Sequence, residues 1–135
     1  MGKRRTIGKL KSDLDKVFNK WIRYRDSEDG YCKCISCGQV FSFEDTDAGH
    51  FYAKQGYDGL RYDEDNVNGE HSYCNRYDES HLIGYSENLK VKLGEEKYEA
   101  LKQRALNYKA GFFKWDRGTI EGLIIKYKDK LSIYI

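Results

Sequence analysis

The sequence contains no proline, and it has no proline-rich, glycine- and serine-rich or repetitive tract. Tracts of those kinds mark disordered linkers or repeat arrays, so their absence predicts a chain that folds throughout. The 135 residues include 39% hydrophobic and 15% aromatic side chains, which is enough for one domain with a real core. We therefore expect a single domain spanning residues 1–135.

Long apolar runs are absent as well. No segment approaches the roughly 20 apolar residues that cross a bilayer. The first residues, MGKRRTIGKLKSD, are charged and lack the apolar stretch of a signal peptide. These absences predict a cytoplasmic protein with no membrane partner, in a compartment where thiols stay reduced. The four cysteines are then expected to be thiolate ligands, with a disulfide-stapled domain as the less favoured alternative.

Charge is distributed unevenly along the chain. Residues 1–25 hold nine Lys or Arg and two Asp, which predicts a phosphate-binding surface. Residues 44–79 hold ten acidic and three basic side chains. Such an acidic patch could bind a polyanion only if a divalent cation lay among its carboxylates. The candidate DNA contacts are Arg4, Arg5, Lys9, Arg23, Arg25, Arg61 and Arg76. Solvated surface is the alternative for Arg61 and Arg76.

Apolar periodicity predicts an N-terminal helix followed by short strands. Six apolar residues recur at helical spacing, so residues 1–30 are predicted to form a basic amphipathic helix. They are Leu10, Leu14, Val17, Phe18, Trp21 and Ile22. No helical period continues from residue 31 to residue 68. Within that segment, HFYAK and LRYD are predicted to pair as a β-hairpin around the turn QGYDG.

Helical patterns return after Cys74. YCNRYDESHLIGYSENLKVKLG predicts one helix that ends near Gly94, EEKYEALKQRALNYKA a second, and DRGTIEGLIIKYKDKLSIYI a third. Ile125, Ile133 and Ile135 lie outside the apolar stripe of the last helix, which favours a partner surface or a short terminal strand at LSIYI. The chain thus divides into a basic helix over 1–30, a central core over 31–94 and a helical extension over 95–135.

Two ligand pairs predict a structural zinc site. Cys34 and Cys37 are separated by two residues and followed by Gly38, which allows the chain to turn under a metal ion. His71 and Cys74 repeat the spacing about thirty residues later, so the two pairs supply a Cys₃His set for tetrahedral Zn²⁺. Cys32 is left over and is interpreted as a buried thiol beside the site. The alternative is that Cys32 replaces Cys34.

The order of these motifs resembles a known family. C-x-x-C-G, AGHF, LRYDEDN and a ligand pair followed directly by Asn75 are similar to the NinG (Rap) family of lambdoid phage recombination proteins, within the HNH or ββα-metal endonucleases. Phage recombination endonuclease VII is similar in its Asn after the last zinc cysteine. The resemblance covers residues 34–75 and the flanking helices.

What the resemblance implies is an α+β fold with a small treble-clef zinc core, flanked by an N-terminal helix and C-terminal helices. It also implies cleavage of branched recombination intermediates such as Holliday junctions and D-loops. Two positions depart from the pattern. His71 stands where cysteine is usual, and Gly49 precedes His50 where many HNH nucleases have a metal-binding Asp.

The chemistry of phosphodiester hydrolysis assigns roles to particular residues. His50 is the candidate general base, Asn75 the candidate ligand of Mg²⁺ or Mn²⁺ through its amide oxygen, and Asn66 the candidate hydrogen-bond partner that orients the His50 ring. Further candidate ligands of that ion are Asp47, Glu79 and His81. On a continuous helix Asn75 shares a face with Glu79.

Each residue also has an ordinary structural interpretation. His50 and Asn66 are typical turn residues, and Asn75 is typical of a helix cap. Together with the zinc pairs, however, the pattern favours a Mg²⁺-dependent endonuclease with zinc as its scaffold. Symmetric cutting of a four-way junction predicts a homodimer, and a phage recombinase is a further expected partner. The alternatives are a non-catalytic zinc-folded DNA-binding or adaptor module and an HNH nickase of ordinary duplex DNA.

Overall fold

The computed structural model describes residues 4–111 and 113–135. In this part of the chain, helices and short strands mix in the predicted α+β manner. The helices are α1 (Ile7–Arg25), α2 (Ser72–Tyr77), α3 (His81–Leu93), α4 (Glu95–Ala110) and α5 (Arg117–Leu131). The strands are β1 (Ser27–Glu28), β2 (Tyr31–Lys33), β3 (Val40–Ser42), β4 (Thr46–His50) and β5 (Val67–His71).

Helix α1 confirms the first predicted helix and supplies one side of the main core. The Thr6 side chain caps its start by accepting a hydrogen bond from the Lys9 amide. Its apolar face packs against α5, where the ring of Tyr127 lies 4.8 Å from Phe18 and 5.2 Å from Trp21 between centroids. Aromatic pairs of this kind add about 0.5–1.5 kcal/mol each beyond the area that they bury.

Strands β4 and β5 form the hairpin that carries the candidate site. They pair antiparallel, from Thr46 opposite His71 to His50 opposite Val67. The predicted hairpin was therefore wrong in its strands, since HFYAK contributes only His50 and LRYD lies in the loop of residues 51–66. The reason is the buried Asn66 side chain, which hydrogen-bonds the backbone of Tyr52 and Leu60 and closes that segment into a loop.

The helix predicted after Cys74 is interrupted. Helix α2 ends at Tyr77, Asp78 adopts extended backbone angles, and α3 begins at His81. The Asp78 carboxylate accepts hydrogen bonds from the amide and hydroxyl of Ser80, which stabilises a turn in place of a continuous helix. Helix α3 then ends at Gly94, whose φ of +81° confirms the predicted C-terminal glycine.

Two apolar clusters hold these elements together. The first joins α1, α5 and the hairpin through Phe18, Tyr127 and Val67, and the second joins α3, α4 and the 51–66 loop through Tyr85, Leu101 and Leu60. No helix in the described ranges is both long enough and apolar enough to cross a membrane. Residues 132–134 form turns and residue 135 is not in a strand, so the alternative of a terminal strand was wrong.

Candidate functional site

Three thiols meet where the β2–β3 turn approaches the start of α2. The Sγ atoms of Cys34, Cys37 and Cys74 all lie within 4.8 Å of one another. The turn closes through a hydrogen bond of 2.9 Å from the Gly38 amide to the Cys34 carbonyl, and Gly38 has a φ of +77° that favours glycine. The amides of Cys37 and His71 donate to Cys34 Sγ at 3.4 and 3.2 Å.

The electrostatics of this thiol cluster suit a metal cation. Burial and the neighbouring thiols of Cys34 and Cys37 raise the pKa of Cys74 to about 12. Without a cation, the Cys74 thiol therefore stays protonated at neutral pH, whereas a bound metal ion would stabilise the thiolate. Three converging soft sulfur ligands fit Zn²⁺ or a similar ion.

The fourth predicted ligand lies elsewhere. The imidazole of His71 stacks on the ring of Phe41, with centroids 3.6 Å apart and planes 8° from parallel, and it is outside the three-thiol cluster. The structure thus brings together three residues of the predicted Cys₃His set. Cys32 is also outside the cluster, buried with its sulfur beside Gly69, which agrees with the interpretation of Cys34 as the ligand.

Asp47 and Asn75 come together at the start of β4. Asn75 Nδ2 donates to Asp47 Oδ2 at 3.0 Å, and the same carboxylate accepts from Ser72 and from two nitrogens of Arg76, all at 2.9 Å. Burial acts to raise the pKa of Asp47, but the hydrogen bonds from Asn75, Arg76 and Ser72 outweigh it and hold that pKa below its ordinary value. Asp47 is therefore a carboxylate anion at neutral pH, beside the Asn75 amide.

His50 lies at the other end of β4 with its ring fixed. Its Nε2 is 3.0 Å from the Arg61 carbonyl oxygen. Because a carbonyl only accepts hydrogen bonds, Nε2 carries the proton and Nδ1 keeps its lone pair. Burial lowers the pKa of His50, with the Arg61 hydrogen bond opposing that effect. The neutral imidazole, which can act as a base, is thus the dominant form at neutral pH.

The predicted contact between Asn66 and His50 is absent from the described residues. Asn66 is fully buried and uses its amide on Tyr52 and Leu60, so the ring of His50 is oriented by the Arg61 carbonyl instead. Asn66 instead acts indirectly, because its hydrogen bonds shape the loop that contains the Arg61 carbonyl. A sequence pattern cannot identify a backbone acceptor, because every residue has one.

Two other predicted metal ligands make no hydrogen bond to Asp47 or Asn75 within the described residues. His81 Nδ1 is 2.7 Å from a carboxylate oxygen of Glu70, which is fully buried and also accepts from the Ser36 hydroxyl. Glu79 is an exposed turn residue beyond the end of α2 and does not share a helical face with Asn75. The structure therefore pairs Asn75 with Asp47 and leaves His81 and Glu79 out of that group.

A groove runs between α1 and α2 along β4. It has a volume of about 360 Å³, and its lining includes Asp47 and Asn75 on one side and Asn19 on the other. It also includes Ala48, which lies on the same face of β4 as His50 two residues further on. The Cα atoms of Asp47 and His50 are three strand residues apart, roughly 10 Å. By the same alternation Asp47 and His50 project from opposite faces of β4, so a phosphate and its counter-ion would have to reach across the strand.

The predicted DNA contacts fall into two groups. Three of them, Arg23, Arg25 and Arg61, bind other parts of the protein, and their contact with DNA stays a prediction. Arg23 donates to the Phe43 carbonyl, Arg25 to the carbonyls of Glu64 and Val67, and Arg61 to Asp15. Exposed basic side chains remain on the surface of α1, on α2 and next to β4: Arg4, Arg5, Lys9, Lys16, Lys20, Lys54 and Arg76. Lys16 and Lys20 belong to the phosphate-binding surface predicted for residues 1–25, whereas Lys54 was not singled out from the sequence. These lysines differ from the half-buried arginines only in their surroundings.

Comparison with known proteins identifies relatives over most of the chain. The model of the family described as bacteriophage lambda NinG protein matches residues 3–133. A protein ninG of Escherichia phage 933W is 28% identical over 114 residues, which are 84% of this chain and 52% of the relative. The protein ninG of Escherichia phage lambda is 26% identical over 114 residues, with the same shares of 84% and 52%. The chain spans about half the length of these curated relatives. No solved structure matches significantly.

Proposed function

The chain belongs to the family of bacteriophage lambda NinG proteins, and we propose that it is an endonuclease that hydrolyses phosphodiester bonds in branched recombination intermediates. The observation that carries this proposal is the fixed tautomer of His50, whose Nε2 is held by the Arg61 carbonyl at 3.0 Å. That contact leaves Nδ1 as an unprotonated base on β4, the strand that also carries Asp47 and the groove residue Ala48. A histidine that serves only in a turn needs neither a fixed tautomer nor an unprotonated Nδ1 on the strand that carries Asp47.

In the proposed reaction, His50 Nδ1 takes a proton from the water that attacks phosphorus. Asp47 and the Asn75 amide oxygen are hard ligands that would hold Mg²⁺ or Mn²⁺, which neutralises charge on the phosphate and the departing oxygen when bound. Arg76, whose side chain is 59% exposed, balances Asp47 in the free protein and can turn to a DNA phosphate. The exposed lysines of α1 would bind the backbone of DNA without reading its sequence.

Zinc has a scaffolding role in this proposal. Cys34, Cys37 and Cys74 would tie the β2–β3 turn to the start of α2, with a fourth ligand closing the shell, as in a treble-clef core. Asn75 directly follows Cys74, so the metal fixes the start of the helix that carries the Asn75 amide. We further propose that a homodimer supplies two active sites for a four-way junction, with exposed Ile125, Ile133 and Ile135 at its interface.

A non-catalytic DNA-binding module is the second candidate. It is favoured by the Asp47 carboxylate, because four hydrogen bonds already engage that group. Such a module would bind branched DNA and leave it intact in the presence of Mg²⁺ or Mn²⁺. A nickase of ordinary duplex DNA would instead cut linear and branched substrates alike.

The experiment is a panel of labelled linear, flapped and four-way DNA substrates, incubated with and without Mg²⁺. We expect metal-dependent cleavage of the branched substrates, and a loss of about 100-fold or more for His50→Ala and Asn75→Ala. Gln103→Ala, an exposed change on α4, is the control for handling and folding. Binding without cleavage by the unchanged protein, or full cleavage by His50→Ala, would contradict the proposal.

A further inference from the structure

We infer that Asp15, in the middle of α1, is a positioning residue for His50, and that it acts by clamping the peptide group whose carbonyl holds the imidazole. The inference rests on the proposed function for its catalytic consequence. Its structural part concerns the His50 tautomer alone, so it can be tested whether or not DNA is cleaved. Asp15 belongs to the basic N-terminal segment and lies outside the sequence motifs that contain His50 and Asn75.

The geometry centres on the peptide that joins Arg61 and Tyr62. Its carbonyl oxygen receives the Nε2 proton of His50 at 3.0 Å. On one side of that peptide, the Arg61 guanidinium donates two hydrogen bonds to the Asp15 carboxylate, the first from Nε at 2.9 Å. On the other side, the Tyr62 hydroxyl donates to Asp15 Oδ1 at 2.7 Å. Both side chains that flank the peptide therefore end on one carboxylate.

The hydrogen bonds to Asp15 are partly shielded from solvent, which strengthens them. The side chains of Asp15 and Arg61 are 24% and 19% exposed, and Tyr62 is buried. A two-point guanidinium–carboxylate pair restricts orientation as well as distance. The other acid near Arg61 is Asp58, at 3.5 Å from a single nitrogen and with a side chain that is 34% exposed. Asp15 thus supplies the main anchor of the peptide, and Asp58 provides a natural control.

Asp15 has a second effect on the same histidine. When His50 takes a proton from water, it becomes a cation in a partly buried position. The Asp15 carboxylate is among the charges that act to raise the pKa of His50, while Lys54 and Arg61 act to lower it. The clamp therefore sets the ring before the reaction and also offsets part of the charge that the reaction creates.

The test combines three variants with two measurements. Asp15→Asn removes the charge and one acceptor site, Asp15→Glu restores a carboxylate, and Asp58→Asn removes a neighbouring charge that is outside the clamp. In the unchanged protein, nitrogen-15 spectra of the imidazole are expected to report the Nε2–H tautomer of His50. For Asp15→Asn we expect mixed tautomers and a kcat on junction DNA lowered about 10- to 100-fold, with KM changed less than about threefold. For Asp58→Asn we expect the original tautomer and a kcat within about twofold.

Partial recovery of kcat by Asp15→Glu supports the clamp over a general loss of folding, which thermal melts measure for every variant. A folded Asp15→Asn protein that keeps the pure Nε2–H tautomer overturns the inference. Equal losses in Asp15→Asn and Asp58→Asn also overturn it, because they indicate a loosened loop. If the unchanged protein cuts no DNA, the proposed function fails, and the tautomer spectra still decide the role of Asp15.

Discussion

The thiol cluster and the groove along β4 both use residues of α2 but assemble in different ways. Cys34 and Cys37 lie in one tight turn, and Cys74 lies in the helix that directly follows β5. At the end of β4, by contrast, His50 is held by a carbonyl of the 51–66 loop, which is anchored in turn by Asp15 of α1. The first arrangement depends on local spacing, whereas the second depends on the packing of three separate elements. Changes in the two regions should therefore have different consequences.

The largest effect is expected from the thiol cluster. Cys74→Ser removes one of three converging sulfurs, and zinc binding supplies about 10–16 kcal/mol in small zinc-folded peptides. We expect loss of bound zinc and of a cooperative thermal transition, measured by elemental analysis and circular dichroism.

Cys32→Ala is the matched control, since Cys32 is buried close by but lies outside the cluster. We expect it to keep one zinc ion per chain with modestly lower stability. Loss of zinc from Cys32→Ala and its retention in Cys74→Ser would reverse the assignment of ligands.

The next effect concerns pH in the groove. Because burial lowers the pKa of His50, the neutral base persists below the ordinary imidazole value of 6.5. Cleavage should stay constant as the pH falls to 6.5 and then decline about tenfold per pH unit below the lowered pKa. The measurement is the pH profile of kcat, with DNA binding followed in parallel.

The residual rate of His50→Ala should lack this acidic decline. A profile of the unchanged protein that already falls above pH 7 would mean that a different group, or a His50 with a raised pKa, controls the reaction.

A smaller effect is expected at Gly49. A Cβ atom built there would lie 2.2 Å from Glu70 Oε1 and 3.1 Å from Glu70 Cβ, so Gly49→Ala must displace the buried Glu70 side chain. We expect a loss of about 1–3 kcal/mol in the free energy of unfolding, measured with urea. This contact explains physically why an Asp is absent before His50, since Glu70 of the paired strand fills that space.

Gly122 provides the comparison, because it is exposed within α5 and an added Cβ meets nothing within 4 Å. Gly122→Ala should raise stability by up to about 1 kcal/mol through helix propensity. Equal responses at the two glycines would argue against the packing of Glu70 over Gly49.

The smallest effects should separate surface lysines from half-buried arginines. Lys16→Ala, on the exposed face of α1, should weaken DNA binding and reduce the slope of log K against log salt by about one, at unchanged stability. Arg25→Ala should leave that slope unchanged and lower stability by about 1–3 kcal/mol, because the carbonyls of Glu64 and Val67 lose their donor.

The measurements are binding titrations at several salt concentrations and urea unfolding of both variants. If Arg25→Ala changed the salt slope and Lys16→Ala did not, the division between surface and structural basic residues would be wrong.

Whether a feature could be predicted from the sequence depends on how far apart along the chain its interacting residues are. Helix α1, the glycine that ends α3 and the thiol spacings were predicted, because each depends on residues close together in the chain. The hairpin was assigned to the wrong strands, since the buried amide of Asn66 closes the intervening loop. The continuous helix after Cys74 was also wrong, because the Asp78 turn interrupts it.

By itself, the sequence determined the spacing of the three thiols and the family, and it singled out His50 and Asn75 as candidates. Only the tertiary structure decided that His71 stacks on Phe41, that His81 pairs with buried Glu70, and that Arg61 holds His50 through its backbone. The physical reason is that spacing along the chain constrains ligands within one turn. Contacts between side chains of different helices, strands and loops depend instead on how those elements pack.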